Sequence, residues 1–309
     1  MIRGVKTVVL FLAFLYVASA SCQDSADPLS SARSLLSAGK LGESETALRS
    51  YLRAVPSSAE AHFLLGFVLF RERKAKESLA EFTAGARFRH PNADELKIVA
   101  SDYVMLGDYG DADRWFTEVV SEKPNDADAW YLLGRTKYNE NSFVDAIANF
   151  EHALILHPKY IEAENNIGLS WRELNESEKA KAAFETAIDW QQDASADAQP
   201  FLNLGTLLAD QNDWDKAIPL LTKAAALSPA NPRIHEELGE VYLAQQDLQK
   251  AQTELEQAIA LAPDIAALHF KLGQIYRKEG SRDRAQQEFE KCEKLNSTHS
   301  STSTPNPPR

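Results

Sequence analysis

The residues best able to do chemistry are arranged in this sequence as packing residues. His62, His235 and His269 would each offer an imidazole to a metal ion. They occupy the same place in a recurring pattern, one repeat or more apart, whereas metal ligands must converge on one coordination sphere. His152 and His157 are five residues apart and do not share a helical face. Cys292 falls where the pattern calls for a small buried residue. There is no Gly-x-Ser-x-Gly, no His-Glu-x-x-His, no glycine-rich phosphate loop and no paired-cysteine motif. The carboxylates read as solvated helix faces. The expectation is therefore no catalytic residue, no metal site, no cofactor and no enzyme activity.

Composition excludes further classes. Of the 309 residues, 25% are charged and 44% hydrophobic, which suits a globular chain and not a wholly disordered one. Two cysteines cannot build a disulfide framework. A net charge of −12 speaks against nucleic-acid binding, which needs clustered Lys and Arg to neutralise phosphates.

The elements that would position any site follow from a period of 34 residues. Counting from Ala127, position 4 is Trp130, 7 is Leu133, 8 is Gly134, 20 is Ala146, 24 is Phe150, 27 is Ala153 and 32 is Pro158. One period later stand Ile167, Gly168, Ala180, Phe184 and Ala187. Within each period two apolar stripes recur at helical spacing, each fitting one helix of three to four turns. Glycine and alanine at fixed places let two helix axes approach. Phe150 and Phe184 fill the space between pairs, and proline at position 32 ends the second helix.

This pattern resembles the tetratricopeptide repeat, W-x2-L-G-x2-Y…A-x3-F…P, in about eight copies. The implied fold is all-α, a right-handed superhelical solenoid of helix-turn-helix repeats over residues 25–299. The repeats run 25–58, 59–92, 93–126, 127–160, 161–197, 198–231, 232–265 and 266–299. The first is degenerate and reads as a cap with a polar outer face at Ser30, Ser31 and Ser34. The fifth carries three extra residues near Ser195 to Asp197, read either as a hinge or, by preference, as a longer second helix.

Such solenoids bind with the concave surface lined by their first helices. The resemblance places on it Phe63, Phe67 and Phe70 from the second repeat, Lys97 from the third, and Tyr131, Arg135 and Tyr138 from the fourth. It adds Asn165 and Asn166 from the fifth, Asn203 from the sixth, and Glu236 and Glu240 from the seventh. The phenylalanines with the tyrosines suit an apolar segment or, equally, packing against the first repeat. Asn166 and Asn203 suit two rungs of an asparagine ladder along a peptide backbone. The glutamates suit a basic segment or plain solvation.

The termini stand apart. Arg3 and Lys6, the apolar run from Val8 to Ala18, and Ala18-Ser19-Ala20 make a secretory signal over residues 1–21. Ser19-Ala20-Ser21-Cys22 resembles a bacterial lipobox, with Ser19 in place of its aliphatic residue, so Cys22 is a candidate lipidation site. Residues 296–309 hold seven Ser or Thr and three Pro and read as a disordered tail.

The sequence thus predicts an exported protein, periplasmic or secreted after plain cleavage behind Ala20, with a lipid on Cys22 and outer-membrane anchoring as the alternative and the one membrane contact. Its role would be a protein–protein interaction scaffold that takes a protein or peptide partner, in bacterial envelope assembly or secretion. Two other readings stay open: a self-associating homo-oligomeric solenoid, and a non-catalytic accessory subunit of an envelope enzyme complex. Oligomeric state is not legible from the sequence.

Overall fold

The computed structural model describes residues 28–191 and 196–302, in sixteen helices. They fall into two compact units that divide between Pro91 and Asn92. The first unit holds α1 (Pro28–Ser37), α2 (Leu41–Ala54), α3 (Ala59–Arg71) and α4 (Ala75–Ala86). The second begins with α5 (Ala93–Leu106), α6 (Tyr109–Glu122), α7 (Ala127–Asn139), α8 (Phe143–Leu156), α9 (Ile161–Glu173) and α10 (Ser177–Asp189). It continues with α11 (Ala198–Asp210), α12 (Trp214–Leu227), α13 (Pro232–Ala244), α14 (Leu248–Leu261), α15 (Ala266–Lys278) and α16 (Arg282–Thr302). Consecutive helices pair as helix-turn-helix repeats, so the chain is all-α with about eight repeats.

Local chemistry sets where each helix starts and turns. Asn92 and Glu95 form a reciprocal capping box at the start of α5. Asp126, Asp197 and Asn231 accept first-turn amides of α7, α11 and α13. Between the two helices of each repeat, the residue at position 15 adopts a left-handed backbone. It is Gly39, Gly107 or Gly280 in three repeats, Asn141, Asn175 or Asn212 in three more, and Arg73 and Gln246 in the others. Glycine takes this conformation freely and asparagine tolerates it; a long side chain is strained there.

Packing follows the glycine–aromatic register. A Cβ on Gly168 would lie 2.5 Å from the Phe184 ring, and one on Gly134 2.7 Å from Phe150. Both rings are fully buried. The missing side chain is thus the space the aromatic fills, and it holds the two helices of a repeat together. In the first unit Leu29, Ala32 and Leu48 build the core of the capping repeat. Ser30, Ser31 and Ser34 face solvent on its outer side.

Two readings of the sequence are amended by the structure and one lies outside it. Residues 1–27 lie outside the described residues, and with them the signal segment, Cys22 and the Ser25 start of the first repeat. The three extra residues of the fifth repeat do not lengthen its second helix. α10 stops at Asp189, so they lengthen the connection to α11, where no proline keeps the turn short. Part of that connection, 192–195, is not described. The segment read as a disordered tail is helical as far as Thr302. A helix already nucleated at Arg282 extends at little cost per residue through Asn, Ser and Thr, and the first proline is Pro305.

Candidate partner-binding face

Within the second unit the first helices of neighbouring repeats touch: α7 with α9, α9 with α11, and α11 with α13. Their second helices are spaced further apart, so the first helices form its inner wall. Side chains on that wall that are not consumed by packing are the ones free to bind.

The fourth and fifth repeats carry the densest set. Tyr131 lies between Phe150 and Tyr160, with ring centroids 5.8 and 4.9 Å away. Its hydroxyl accepts from Asn166 Nδ2 at 3.3 Å, and Asn166 also donates to the Glu162 carbonyl at 2.6 Å. The Arg135 guanidinium lies 5.8 Å above the Tyr131 ring. Arg135 is exposed and has no carboxylate within 4.0 Å among the described residues. Burial pushes the Tyr131 phenol above its ordinary value despite the nearby Arg135 charge. Two turns beyond Tyr131, Tyr138 packs edge-on against Phe143 at 5.3 Å and its hydroxyl donates to Glu173 at 3.5 Å. Burial, then the Glu173 charge, raises the Tyr138 phenol as well.

Other residues of the expected face are already engaged. Lys97 Nζ donates to Asp126 Oδ2 at 2.7 Å, joining α5 to the cap of α7. Burial alone would raise the Asp126 carboxyl, but the Lys97 hydrogen bond holds it below its usual value. Asn203 Nδ2 donates to Asn165 Oδ1 at 2.9 Å, and both side chains are buried. The two asparagines expected as ladder rungs each have a partner within the protein: Asn166 donates to Tyr131 and Asn203 to Asn165. The glutamates of α13 are bridged by Lys271 of α15, which pairs with both Glu236 and Glu240. Glu237 beside them is pushed up by burial and then by the Glu240 charge.

In the first unit, Phe63 is 3% exposed and does not reach the surface. Its ring stacks on Phe82 at 5.7 Å and occupies the space that a Cβ on Gly85 would fill, 2.6 Å away. Arg89 covers its other side at 4.5 Å. The reading of Phe63 as a partner-binding residue is corrected on this ground: the glycine at position 27 of its repeat admits the ring into the core. Phe67 and Phe70 are half-buried.

Sequence reasoning missed Tyr160 and Lys271 as parts of these clusters. Tyr160 sits in the turn before α9, outside the helix positions used to map the face. Lys271 was visible as a cation, but its partners belong to the preceding repeat. Among the described residues, no group of three His, Cys, Asp or Glu is placed to hold a metal ion, and no helix is long and apolar enough to cross a membrane.

Comparison with known proteins agrees with this geometry. Family models described as tetratricopeptide repeat match residues 29–94, 100–161, 162–193, 208–269 and 266–299. The human protein O-mannosyl-transferase TMTC1 is 24% identical over 208 residues, which is 65% of this chain and 23% of that protein. The mouse protein of the same name is 25% identical over 156 residues, 49% of this chain and 16% of that one. The chain thus spans less than a quarter of these relatives. A solved tetratricopeptide repeat protein from Parabacteroides merdae superposes with TM-score 0.65 at 18% identity, over 80% of this chain and 97% of that one. PilW, described as a type IV pilus biogenesis factor, superposes with TM-score 0.57 at 20% identity, over 63% of this chain and 90% of that one. At these identities the likeness is one of fold. Repeat matches together span most of the sequence, and the chain belongs to the tetratricopeptide repeat family.

Proposed function

We propose that this protein is an exported scaffold of the bacterial envelope. It would hold a partner polypeptide against the inner wall of its fourth and fifth repeats. That it is a tetratricopeptide scaffold follows from the family; the place of binding rests on one observation. Arg135 stands exposed over the Tyr131 ring with no carboxylate partner among the described residues, beside the half-buried Tyr138 and Asn166. Aromatic rings with an available guanidinium are the side chains that dominate protein interfaces. Export is supported by the signal pattern of residues 1–21, and Cys22 would supply a lipid anchor.

The test is site-directed photo-crosslinking in envelope extract. A photoreactive residue replacing Arg135 should yield a discrete covalent product, and the same residue replacing exposed Lys223 of α12 should not. Equal labelling at both places would end the assignment.

Self-association is a second reading, favoured by exposed apolar side chains on one face of α8. Val144 is 67% and Ile155 74% exposed, and their separation of eleven residues puts both on one side of the helix. Light scattering of Val144→Asp/Ile155→Asp beside the unaltered chain decides it. A concentration-independent monomer for the unaltered chain removes this reading.

A further inference from the structure

The first helices α5, α7, α9, α11 and α13 carry five Lys or Arg side chains, and four of them are already spent. Lys97 pairs with Asp126, Lys137 with Asp113, Arg172 with Glu173 and Arg233 with Glu237, each within 4.0 Å. The fifth, Arg135 of α7, is exposed and meets no carboxylate within that distance among the described residues.

The tyrosines beside it divide in the same way. Tyr138 donates its hydroxyl to Glu173 at 3.5 Å, and Tyr160 donates to Asp128 at 3.1 Å. The Tyr131 oxygen accepts from Asn166 Nδ2 at 3.3 Å, but its own O–H meets no acceptor within 3.5 Å among the described residues. A phenol has one proton to give. Burial pushes the Tyr131 phenol above its ordinary value, so that proton stays on the oxygen at neutral pH. Asn166 holds the oxygen, and Phe150 and Tyr160 hold the ring, so the hydroxyl is placed before any partner arrives.

The Arg135 guanidinium lies 5.8 Å from the centre of that ring, and its charge acts on the Tyr131 hydroxyl. Two neighbouring groups therefore offer hydrogens and lack an acceptor of their own. What suits both is an anionic group with two oxygens, which is a carboxylate. A carboxamide suits them less, because its nitrogen brings hydrogens towards those of Arg135.

Glu162 of α9 narrows the class of anion. It is exposed, its charge also acts on the Tyr131 phenol, and no Lys or Arg pairs with it within 4.0 Å among the described residues. A phosphate, or a run of acidic residues, would bring a second negative charge near Glu162 and be repelled. One carboxylate among neutral or basic neighbours escapes that penalty. Nor does Arg135 stand at an end of the wall. α6 of the third repeat packs on α7 from one side and α9 of the fifth from the other, so a bound chain has surface to follow in both directions.

We propose that the partner segment held at the fourth and fifth repeats carries one acidic side chain, Asp or Glu, whose carboxylate is received by Arg135 and the Tyr131 hydroxyl, with the partner's chain continuing on both sides. This rests on the binding place argued above and adds the chemistry of what is bound there. Arg135 supplies the charge, Tyr131 the direction, and Asn166 positions Tyr131.

A displayed library of random peptides, selected on the full chain, supplies the probe. A photoreactive residue in place of Tyr138 leaves Arg135 intact and marks the peptides that lie on this wall. Those peptides should share one Asp or Glu. For a synthetic member of the set, fluorescence anisotropy should show affinity lower by about tenfold or more with Arg135→Gln, and by a smaller factor with Tyr131→Phe. Changing the peptide's acid to its amide should cost the unaltered chain about the same tenfold and cost Arg135→Gln nothing further. Arg135 is exposed, so Arg135→Gln should melt with the unaltered chain. Wall peptides that lack an acid, carry runs of acids, bind through their terminal carboxylate or are indifferent to Arg135→Gln would keep the binding place and overturn this proposal. A library that gives no peptide crosslinked at position 138 overturns both.

Discussion

Asn203 of α11 donates its side-chain amide to the Asn165 carbonyl oxygen of α9 at 2.9 Å, across the place where the 34-residue spacing lengthens to 37. Asn203 Oδ1 in turn accepts from Gln199 Nε2 at 3.1 Å. The two repeats thus meet through a satisfied polar pair at a point where their register changes. Removing one partner should cost more than removing both, because a lone buried amide keeps its full desolvation penalty. We expect Asn165→Ala to destabilise by about 1–3 kcal/mol and Asn165→Leu/Asn203→Leu by less. Chemical denaturation of the three proteins checks the order; equal losses would mean the pair is not coupled.

The glycine register carries its own prediction. A Cβ at Gly168 would lie 2.5 Å from the Phe184 ring, which has no free space to retreat into. Gly168→Ala should destabilise by about 1–3 kcal/mol although alanine favours helix. A rise in melting temperature would show that the ring can move.

Gln246 is the reverse case. It holds a left-handed backbone at φ 64, where six of the other seven repeats place glycine or asparagine, and it is exposed. Gln246→Gly should stabilise by about 1 kcal/mol, by relief of the steric cost of a side chain there. An unchanged or lower denaturation midpoint argues against strain at this turn.

Glu237 predicts a pH effect. Burial and the Glu240 charge raise its carboxyl above the ordinary value, so the folded chain binds its proton more tightly than the unfolded chain does. Its contribution to stability is favourable in acid and is lost as pH rises through the folded value. Glu237→Gln keeps the shape of the protonated form. It should melt higher than the unaltered chain at pH 7, and the two should converge towards pH 4. A gap that widens in acid would reverse the sign.

Phe63 separates packing from binding. Phe63→Ala should cost about 3–5 kcal/mol in the stability of the first unit, since it empties the space beside Phe82 and Gly85. Arg135→Ala should leave melting within about 0.5 kcal/mol of the unaltered chain, because that side chain is exposed. Calorimetry of both variants checks the contrast.

The repeat architecture was written in the sequence because its causes are local and periodic. Gly134 with Phe150 and Gly168 with Phe184 each lie sixteen residues apart, so one period contains both halves of the contact. The left-handed turn at position 15 is equally local, marked by Gly107, Asn141 and Asn175, but it lies outside the apolar stripes that define the repeat. The candidate face was less legible. Asn166 and Asn203 occupy equivalent places in the pattern, yet their side chains turn to different partners, Tyr131 and Asn165. A register states which helix face a residue occupies and not which neighbour its rotamer reaches.

What the sequence determined by itself was therefore the repeating unit: two helices, a close approach at glycine and a boundary at proline. What only the tertiary structure decided was occupancy: Phe63 inside, Lys97 and Lys271 already paired, and Arg135 free of a carboxylate among the described residues. The reason is distance along the chain. Contacts within one repeat recur with the period and can be read from spacing, whereas those between repeats depend on how each pair of helices leans on the next.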